Sequence, residues 1–367
     1  MFLYPYAIYP FVLRLLPKKP YSPEFGIQAH DLSIALVFCA YNEAEVLPKK
    51  IDNIRVLKRG WPELQVYAYS DCSSDSTNEL LLGASDLLTP VIGETRVGKA
   101  NGMGKLVSMT DADIVVFTDA NVIMDPKSME RLCRYFQDPS IGTVAGTLIY
   151  EHDDYDQCSM TAKVGGVYWR LEEYIKKLES NTGSTTGADG SLFARRREGY
   201  PDVPPHLLDD LTASISVMFD GLRCVSAPDV FAYERSVSVP SEEFRRKRRI
   251  ACRGFNTYRY LYPKIKTLSF LDKFKFFSHK VMRWWGVVYL SGAFVCVLTG
   301  GWTAGYPLLT LAIVGTGMSL LWALGAMGLP MFSTLREILQ AIIATGIGVV
   351  ESLAGRTYQT WTPAKSR

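Results

Sequence analysis

Residues 32–136 repeat one pattern: a short apolar run, a polar cluster, then a stretch with apolar positions at helical spacing. The runs at 32–38, 64–69, 88–92 and 113–118 read as buried strands. The stretches 42–58, 76–86, 98–109 and 126–136 read as the helices that follow them. Apolar strands separated by helices predict an α/β fold with a mostly parallel sheet covered on both faces. Ligands of such sheets bind beyond the carboxyl ends of the strands. Three polar clusters fall there: Tyr41-Asn42-Glu43, Ser70-Asp71 and Thr118-Asp119-Ala120-Asn121.

The pattern changes sharply further on. Residues 284–335 contain no Asp, Glu, Lys, Arg or His, and a Gly-rich break at 300–307 divides them. Each half is long enough to cross a hydrocarbon core of about 30 Å. Lys273, Lys275, Lys280 and Arg283 precede this hairpin and Arg336 follows it, so both flanks are expected on the cytoplasmic side and the turn outside. A buried soluble hairpin is the alternative, and so long an uncharged run argues against it. A shorter apolar segment, 338–350, ends at Glu351 and is followed by Arg356, Lys365 and Arg367. An interfacial or re-entrant helix is expected there. At the other end, residues 1–16 are apolar and aromatic but contain Arg14, and no small-residue cleavage pattern follows. They are short for a span, which predicts a shallow anchor or a helix lying on the protein itself. Residues 17–31, broken by Pro17, Pro20 and Pro23, read as a linker. The chain thus divides into an anchor and linker (1–31), a catalytic domain (32–265), and a juxtamembrane segment with transmembrane or interfacial helices (266–367).

Composition excludes more than it selects. A net charge of +3 over 367 residues gives no global attraction to nucleic acid, and the mean hydropathy of +0.05 averages over the split just described. The seven cysteines, Cys158 among them, form no CxxC pair and read as reduced thiols. The four histidines lie far apart without HExxH, so zinc is not expected.

Several clusters carry candidate chemistry. Asp119 and Asn121, two residues apart at a strand end, can reach one ion, and oxygen ligands suit Mg²⁺ or Mn²⁺ bridging phosphates. A plain turn would use the same residues, and Asp125 before Pro126 reads as a helix cap. Asp71 follows a strand directly and is not needed to cap the next helix, a role for Ser74 or Asp75. Its carboxylate can accept from a nucleobase N–H. Residues 93–100 nearly match the phosphate-binding GxxxxGK[ST], but Ala100 lacks the hydroxyl that ligates Mg²⁺. A P-loop nucleotide hydrolase is therefore the rival enzyme, and a catalytically inactive membrane scaffold the rival outside enzymes. Arg96 and Lys99 are counter-charges for a nucleotide in either enzyme. Asp209 and Asp210 place two carboxylates side by side, which can raise one pKa and suit it as a base, or can simply open a helix. Residues 245–249 and Arg253 form the densest basic run. Helical spacing puts Arg246, Arg249 and Arg253 on one face, toward a site, with Lys247 and Arg248 outside, where anionic lipid would attract them. No nucleic-acid-binding module surrounds the run.

In order and spacing these clusters resemble the family 2 glycosyltransferases, which include the cellulose, hyaluronan and poly-N-acetylglucosamine synthases. The set is Ala40-Tyr41-Asn42-Glu43, Ser70-Asp71, Arg96-x-Gly98-Lys99, Thr118-Asp119-Ala120-Asn121, Gly187-x-x-Gly190, Asp209-Asp210 and Arg246-x-x-Arg249, over residues 32–254. The resemblance implies a GT-A fold, Rossmann-like, with C-terminal transmembrane helices. It implies inverting single displacement from a nucleotide-sugar, most often a UDP-sugar, to a glycan or lipid-linked acceptor at a membrane. Tyr41, Glu43, Asp71 and Lys99 would then hold the nucleoside, and Asp119 and Asn121 match an Asp-x-Asp metal motif for Mg²⁺ or Mn²⁺. Asp210 matches the catalytic base. Gly187, Gly190, Arg196 and Asp209 fall on the acceptor side. Arg246 and Arg249 match a Gln-x-x-Arg-Trp motif over the diphosphate. Four residues depart from the pattern: Asn121 replaces an Asp, Gly104 stands where relatives often have Asn, Arg246 replaces a Gln, and Ile250 replaces the Trp that offers polymerising relatives a platform for the acceptor sugar. Short products are therefore expected, since a channel for a long chain would need a homo-oligomer or an export partner.

Overall fold

The computed structural model describes residues 3–19, 32–151, 160–235, 239–361 and 363. Most of the linker, Cys158, Lys365 and Arg367 lie outside them. A π-helical turn (Tyr4–Ile8) leads into α1 (Tyr9–Leu15). Strand β1 (Ile34–Ala40) is buried at every position. It can be so because parallel neighbours flank it, β2 (Gln65–Ser70) on one side and β4 (Ile114–Asp119) on the other, with β3 (Thr89–Ile92) beyond β2. The helices α2 (Leu47–Gly60), α3 (Thr77–Leu82) and α4 (Lys99–Ser108) make the crossovers that parallel strands require. Alternate residues of β1 enter different cores. Ile34, Leu36 and Phe38 join one with Leu47, Ile54 and Leu57, while Val37 and Cys39 join another with Met103, Phe117 and Phe193.

The second half of the sheet is mixed. It is built by β5 (Ile123–Met124), β6 (Ile141–Glu151), β7 (Leu192–Arg196) and β8 (Arg223–Arg235), with helices α5 (Ser128–Phe136), α6 (Met160–Asn181), α7 (Asp209–Phe219) and α8 (Pro240–Ile265). The eight strands run in the order β3-β2-β1-β4-β7-β6-β8-β5. Strand β7 is antiparallel to β4 and β6, β6 and β8 are parallel, and β5 is antiparallel to β8. The turn after β4 is held from beneath by α2. Buried Lys50 donates to Thr118 Oγ1 (3.2 Å) and the Val122 carbonyl (2.7 Å), and Asn53 exchanges two bonds with the Met124 backbone. Burial lowers the Lys50 ammonium to about 7, against the pull of Asp119.

After α8 come α9 (Phe270–Phe276), a π-helical turn (Phe277–Val281), α10 (Met282–Trp284), α11 (Gly286–Thr303), α12 (Pro307–Ala326) and α13 (Pro330–Leu353). The last three are long and apolar enough to cross a membrane, but they differ in packing. Only 6% of the apolar windows of α11 and α12 is buried, against 33% for α13. Helix α13 starts inside the charge-free run, at Pro330, so the third apolar element is longer than the expected 338–350. It lies along α8. Arg248 Nε meets Glu351 at 2.9 Å, Arg259 donates to the Ser352 carbonyl at 2.8 Å, and Ser352 Oγ donates to Asn256 at 2.6 Å.

The basic flank of the hairpin is less free than its composition implied. Lys275 is fully buried, bonded to the carbonyls of Glu179 and Ser184. Arg283 reaches Glu172 at 2.5 Å, and Lys280 reaches the same carboxylate at 3.7 Å. His279 is buried between two of the carboxylates of α6, Nδ1 to Glu179 and Nε2 to Glu172, both at 2.8 Å. Tyr9 of α1 donates to the same Glu179 at 2.5 Å. Helix α1 therefore lies on the protein through Tyr9 and Leu13, while Ile8, Phe11 and Leu15 present an apolar face outward.

Candidate active site

Beyond the carboxyl ends of β1, β2 and β4 the structure gathers the expected residues. Lys99, the first residue of α4, sits among the acids. Its Nζ donates to Asp119 Oδ1 at 2.6 Å and lies 3.8 Å from Asp209. Burial opposes its charge, but Asp119, Asp209 and Asp210 outweigh that and hold the ammonium protonated. Lys99 is thus at the centre of the acidic cluster. Gly190 makes room for the arrangement. A Cβ there would stand 3.0 Å from Asp210 Oδ2 and 3.2 Å from Lys99 Nζ.

Asp209 and Asp210 open α7. Asp209 has two cationic neighbours, Lys99 and Arg253 at 3.7 Å. Asp210 accepts from the Leu211 amide at 2.7 Å. Desolvation, and then the charge of Asp209, raise Asp210 to about 7, with Lys99 opposing. A carboxyl raised toward neutrality in this way has the proton affinity that a general base needs.

Opposite lies α8. Arg246, Arg249 and Arg253 share its inner face, as their spacing predicts. Desolvation lowers the Arg249 guanidinium to about 10, and Arg253 and Arg246 push in the same direction. Arg246 pairs with Glu243 at 3.3 Å and Arg253 with Asp209, which leaves Arg249, without such a pair among the described residues, as the place for an anion. Lys247 pairs with Glu243 at 3.4 Å and Arg248 with Glu351, so neither faces the site.

Asp71 is fully buried and accepts from the backbone amides of Val97 (2.8 Å) and Gly98 (3.2 Å). These are amides that a P-loop would turn toward phosphate, which removes that reading. Gly98 needs its freedom, because it sits at φ +86° and a Cβ would collide with the Gln359 carbonyl. The segment after α13 therefore returns to the site. Arg96 lies 3.4 Å over the Tyr41 ring and donates to the Trp361 carbonyl at 2.5 Å, and Trp361 packs edge-on to Tyr41. Glu43 is buried in the same corner, its amide donating to Thr77 at 2.9 Å. Asp75 accepts from the Thr77 and Ala44 amides and Asp125 from the Lys127 amide, but the residues at the caps of α3 and α5 are Ser76 and Lys127, so neither aspartate is the helix cap expected of it.

Asn121 donates through Nδ2 to Glu234 Oε1 at 2.8 Å, while its Oδ1 is buried without a hydrogen-bond partner. A buried oxygen without a hydrogen-bond partner, two residues from Asp119 in the chain, fits a divalent ion that completes its shell with phosphates. Among the described residues, no group of three His, Cys, Asp or Glu could hold a metal without such help.

Two acceptor-side assignments need correction or refinement. Arg196 is at the wrong end of the sheet. Strand β7 runs antiparallel to β4, so Leu192 pairs with Thr118 near the site and Arg196 with Ile114 far from it. Arg196 instead donates to the carbonyls of Ile141 and Phe136, both at 2.9 Å. Gly187, at φ +128°, packs against Leu211 of α7 and shapes the backbone that carries Gly190.

Residues 35–203 match glycosyl transferase family 2. The chain carries a family 2 glycosyltransferase domain. The poly-β-1,6-N-acetyl-D-glucosamine synthase of Staphylococcus epidermidis is 22% identical over 58% of this chain and 51% of its own length. The hyaluronan synthase of Streptococcus pyogenes is 24% identical over 51% of this chain and 46% of its own. The chain spans about half the length of these curated relatives. A mannosyltransferase from Pyrobaculum calidifontis, solved with GDP-Man and Mn²⁺, shares the fold over 97% of this chain and 96% of its own, with a TM-score of 0.70 and 20% identity. The glycosyltransferase domain and the helices after it thus belong to one architecture.

Proposed function

We propose that the protein transfers a sugar from a nucleotide-sugar, a UDP-sugar first among candidates, to a glycan or lipid-linked acceptor at the cytoplasmic face of a membrane. The observation that carries this reading is Asp210. Burial and the charge of Asp209 raise its carboxyl to about 7, and Lys99, which opposes that rise, also holds Asp119. The acceptor hydroxyl gives its proton to Asp210 as its oxygen attacks the anomeric carbon. The bond from that carbon to the diphosphate breaks, with inversion, and the nucleoside diphosphate leaves with the bonding pair. Arg246 and Arg249 meet its growing charge. Asp119 and Asn121 would hold Mg²⁺ or Mn²⁺, which supplies Lewis-acid stabilisation of the leaving group. Tyr41, Glu43 and Arg96 would line the nucleoside's place, with Asp71 buried behind them on the Val97 and Gly98 amides. Ile250 is exposed on α8 and offers no aromatic platform, which supports short products over a long chain.

The test is a donor screen on the full chain in detergent, with UDP-sugars and GDP-mannose, reading released nucleotide and product mass. Turnover with one donor, lost in Asp210→Asn and in excess chelator, supports the reading. Full activity in chelator removes the metal. No transfer with any donor, beside nucleoside triphosphate hydrolysis, would reinstate the hydrolase.

A further inference from the structure

Asn121 poses a chemical problem for a metal site. A side-chain amide presents an oxygen at one end and an NH₂ at the other, and a half-turn about its last bond exchanges them. Only the oxygen can ligate a cation. The structure solves this with a residue 113 positions away in sequence. Strand β5, two residues long, pairs antiparallel with β8, Ile123 against Tyr233 and Met124 against Ala232. That pairing brings Glu234 beside Asn121. An ionised carboxylate only accepts, so the amide group facing Glu234 Oε1 at 2.8 Å must be Nδ2. The other end, Oδ1, is left buried and without a hydrogen-bond partner, two residues along the chain from Asp119. Glu234 also lies among the acids whose charge acts on Arg246.

We propose that Glu234 is the positioning residue of the divalent-cation site: it locks the Asn121 amide with its oxygen toward the metal and returns to the site a negative charge that Asn121 lacks. This rests on the function proposed above. It explains why an Asn can stand where a second Asp is expected. An Asp at 121 would face Glu234 as a like charge, whereas an Asn there is held by it.

The experiment is Mn²⁺ binding to the full chain in detergent with UDP or GDP present, read by electron paramagnetic resonance of free Mn²⁺, in a double-mutant cycle. Glu234→Gln should weaken binding at least about fivefold, because a Gln accepts or donates and no longer selects one end of the amide. In an Asn121→Asp background the same change should have the opposite sign or none, since it then removes a repulsion. An equal loss in both backgrounds, or no loss beside Asn121, would overturn the proposal. If Glu234→Gln does not fold, Glu234→Asp serves in the same cycle, because it keeps the charge and shortens the reach. Should the parent protein bind no Mn²⁺ with either nucleotide, the metal site itself fails, and this inference with it. Parent binding that is lost in Asp119→Ala but indifferent to residue 234 leaves the metal and removes only Glu234.

Discussion

Asp209 and Asp210 are neighbours in sequence and strangers in environment. Asp209 is flanked by Lys99 and Arg253, while Asp210 stands in a desolvated corner against the charge of Asp209. Protonation of Asp210 removes the base, so turnover should fall as pH drops through about 7 and level off above it. A profile of kcat/KM from roughly pH 5.5 to 8.5 checks this, and the inflection belongs to the pair. Asp210→Asn should lose about a hundredfold or more in transfer while donor binding survives. Asp209→Asn should move the acid limb to lower pH, because it removes a like charge that holds Asp210 up. An unmoved limb would show that desolvation alone sets it. The acids and arginines were legible because each sits in a short motif. Arg196 was misread, and Glu234 went unseen, for one shared reason. Strand direction and strand pairing decide which end of the sheet a residue reaches, and neither is written in local pattern.

At the scale of elements, α8 couples the chemistry to the apolar helices. One face carries Arg246, Arg249 and Arg253, and along its length lies α13. The approach is close at Gly348, where a Cβ would collide with the Arg248 carbonyl and meet the Ala251 side chain at 2.8 Å. Gly348→Leu should therefore pry the helices apart and cost about 1–3 kcal/mol. Melting in detergent should drop, and donor affinity should fall with it, because the arginine face moves. Normal melting with normal affinity would mean that α13 rides on α8 without shaping it. The parallel strands β1–β4 were legible from their unbroken apolar runs, with ends within a few residues. Strand β5 is too short to show a period. The start of α13 was hidden because Pro330 continues the uncharged run of α12 with no change of composition, and only the turn before it marks a boundary.

For the whole molecule, α11 and α12 are almost bare while α13 packs along α8, and the proposed topology puts the α11–α12 hairpin in the membrane with its turn outside. A cysteine at Ala304, in a background with Cys296 removed, should label with an impermeant reagent on intact cells. Labelling only after lysis would reverse the orientation. The hairpin was legible from its missing charges. The buried union of Glu172, Glu179, His279 and Tyr9 was not, because its members come from three distant segments and look like ordinary surface residues one at a time. The segment after α13 crosses the domain again to reach Arg96, and this gives the protein an optical reporter of its own. Trp361 shares Arg96 with Tyr41, so a nucleotide settling against Tyr41 must change the surroundings of that indole. Its emission should shift when UDP or GDP is added, in proportion to occupancy and with no sugar transferred. Trp361→Phe should silence the shift, and a signal that persists would trace to another tryptophan. With the shift in hand, donor affinity could be followed in real time, without label or product.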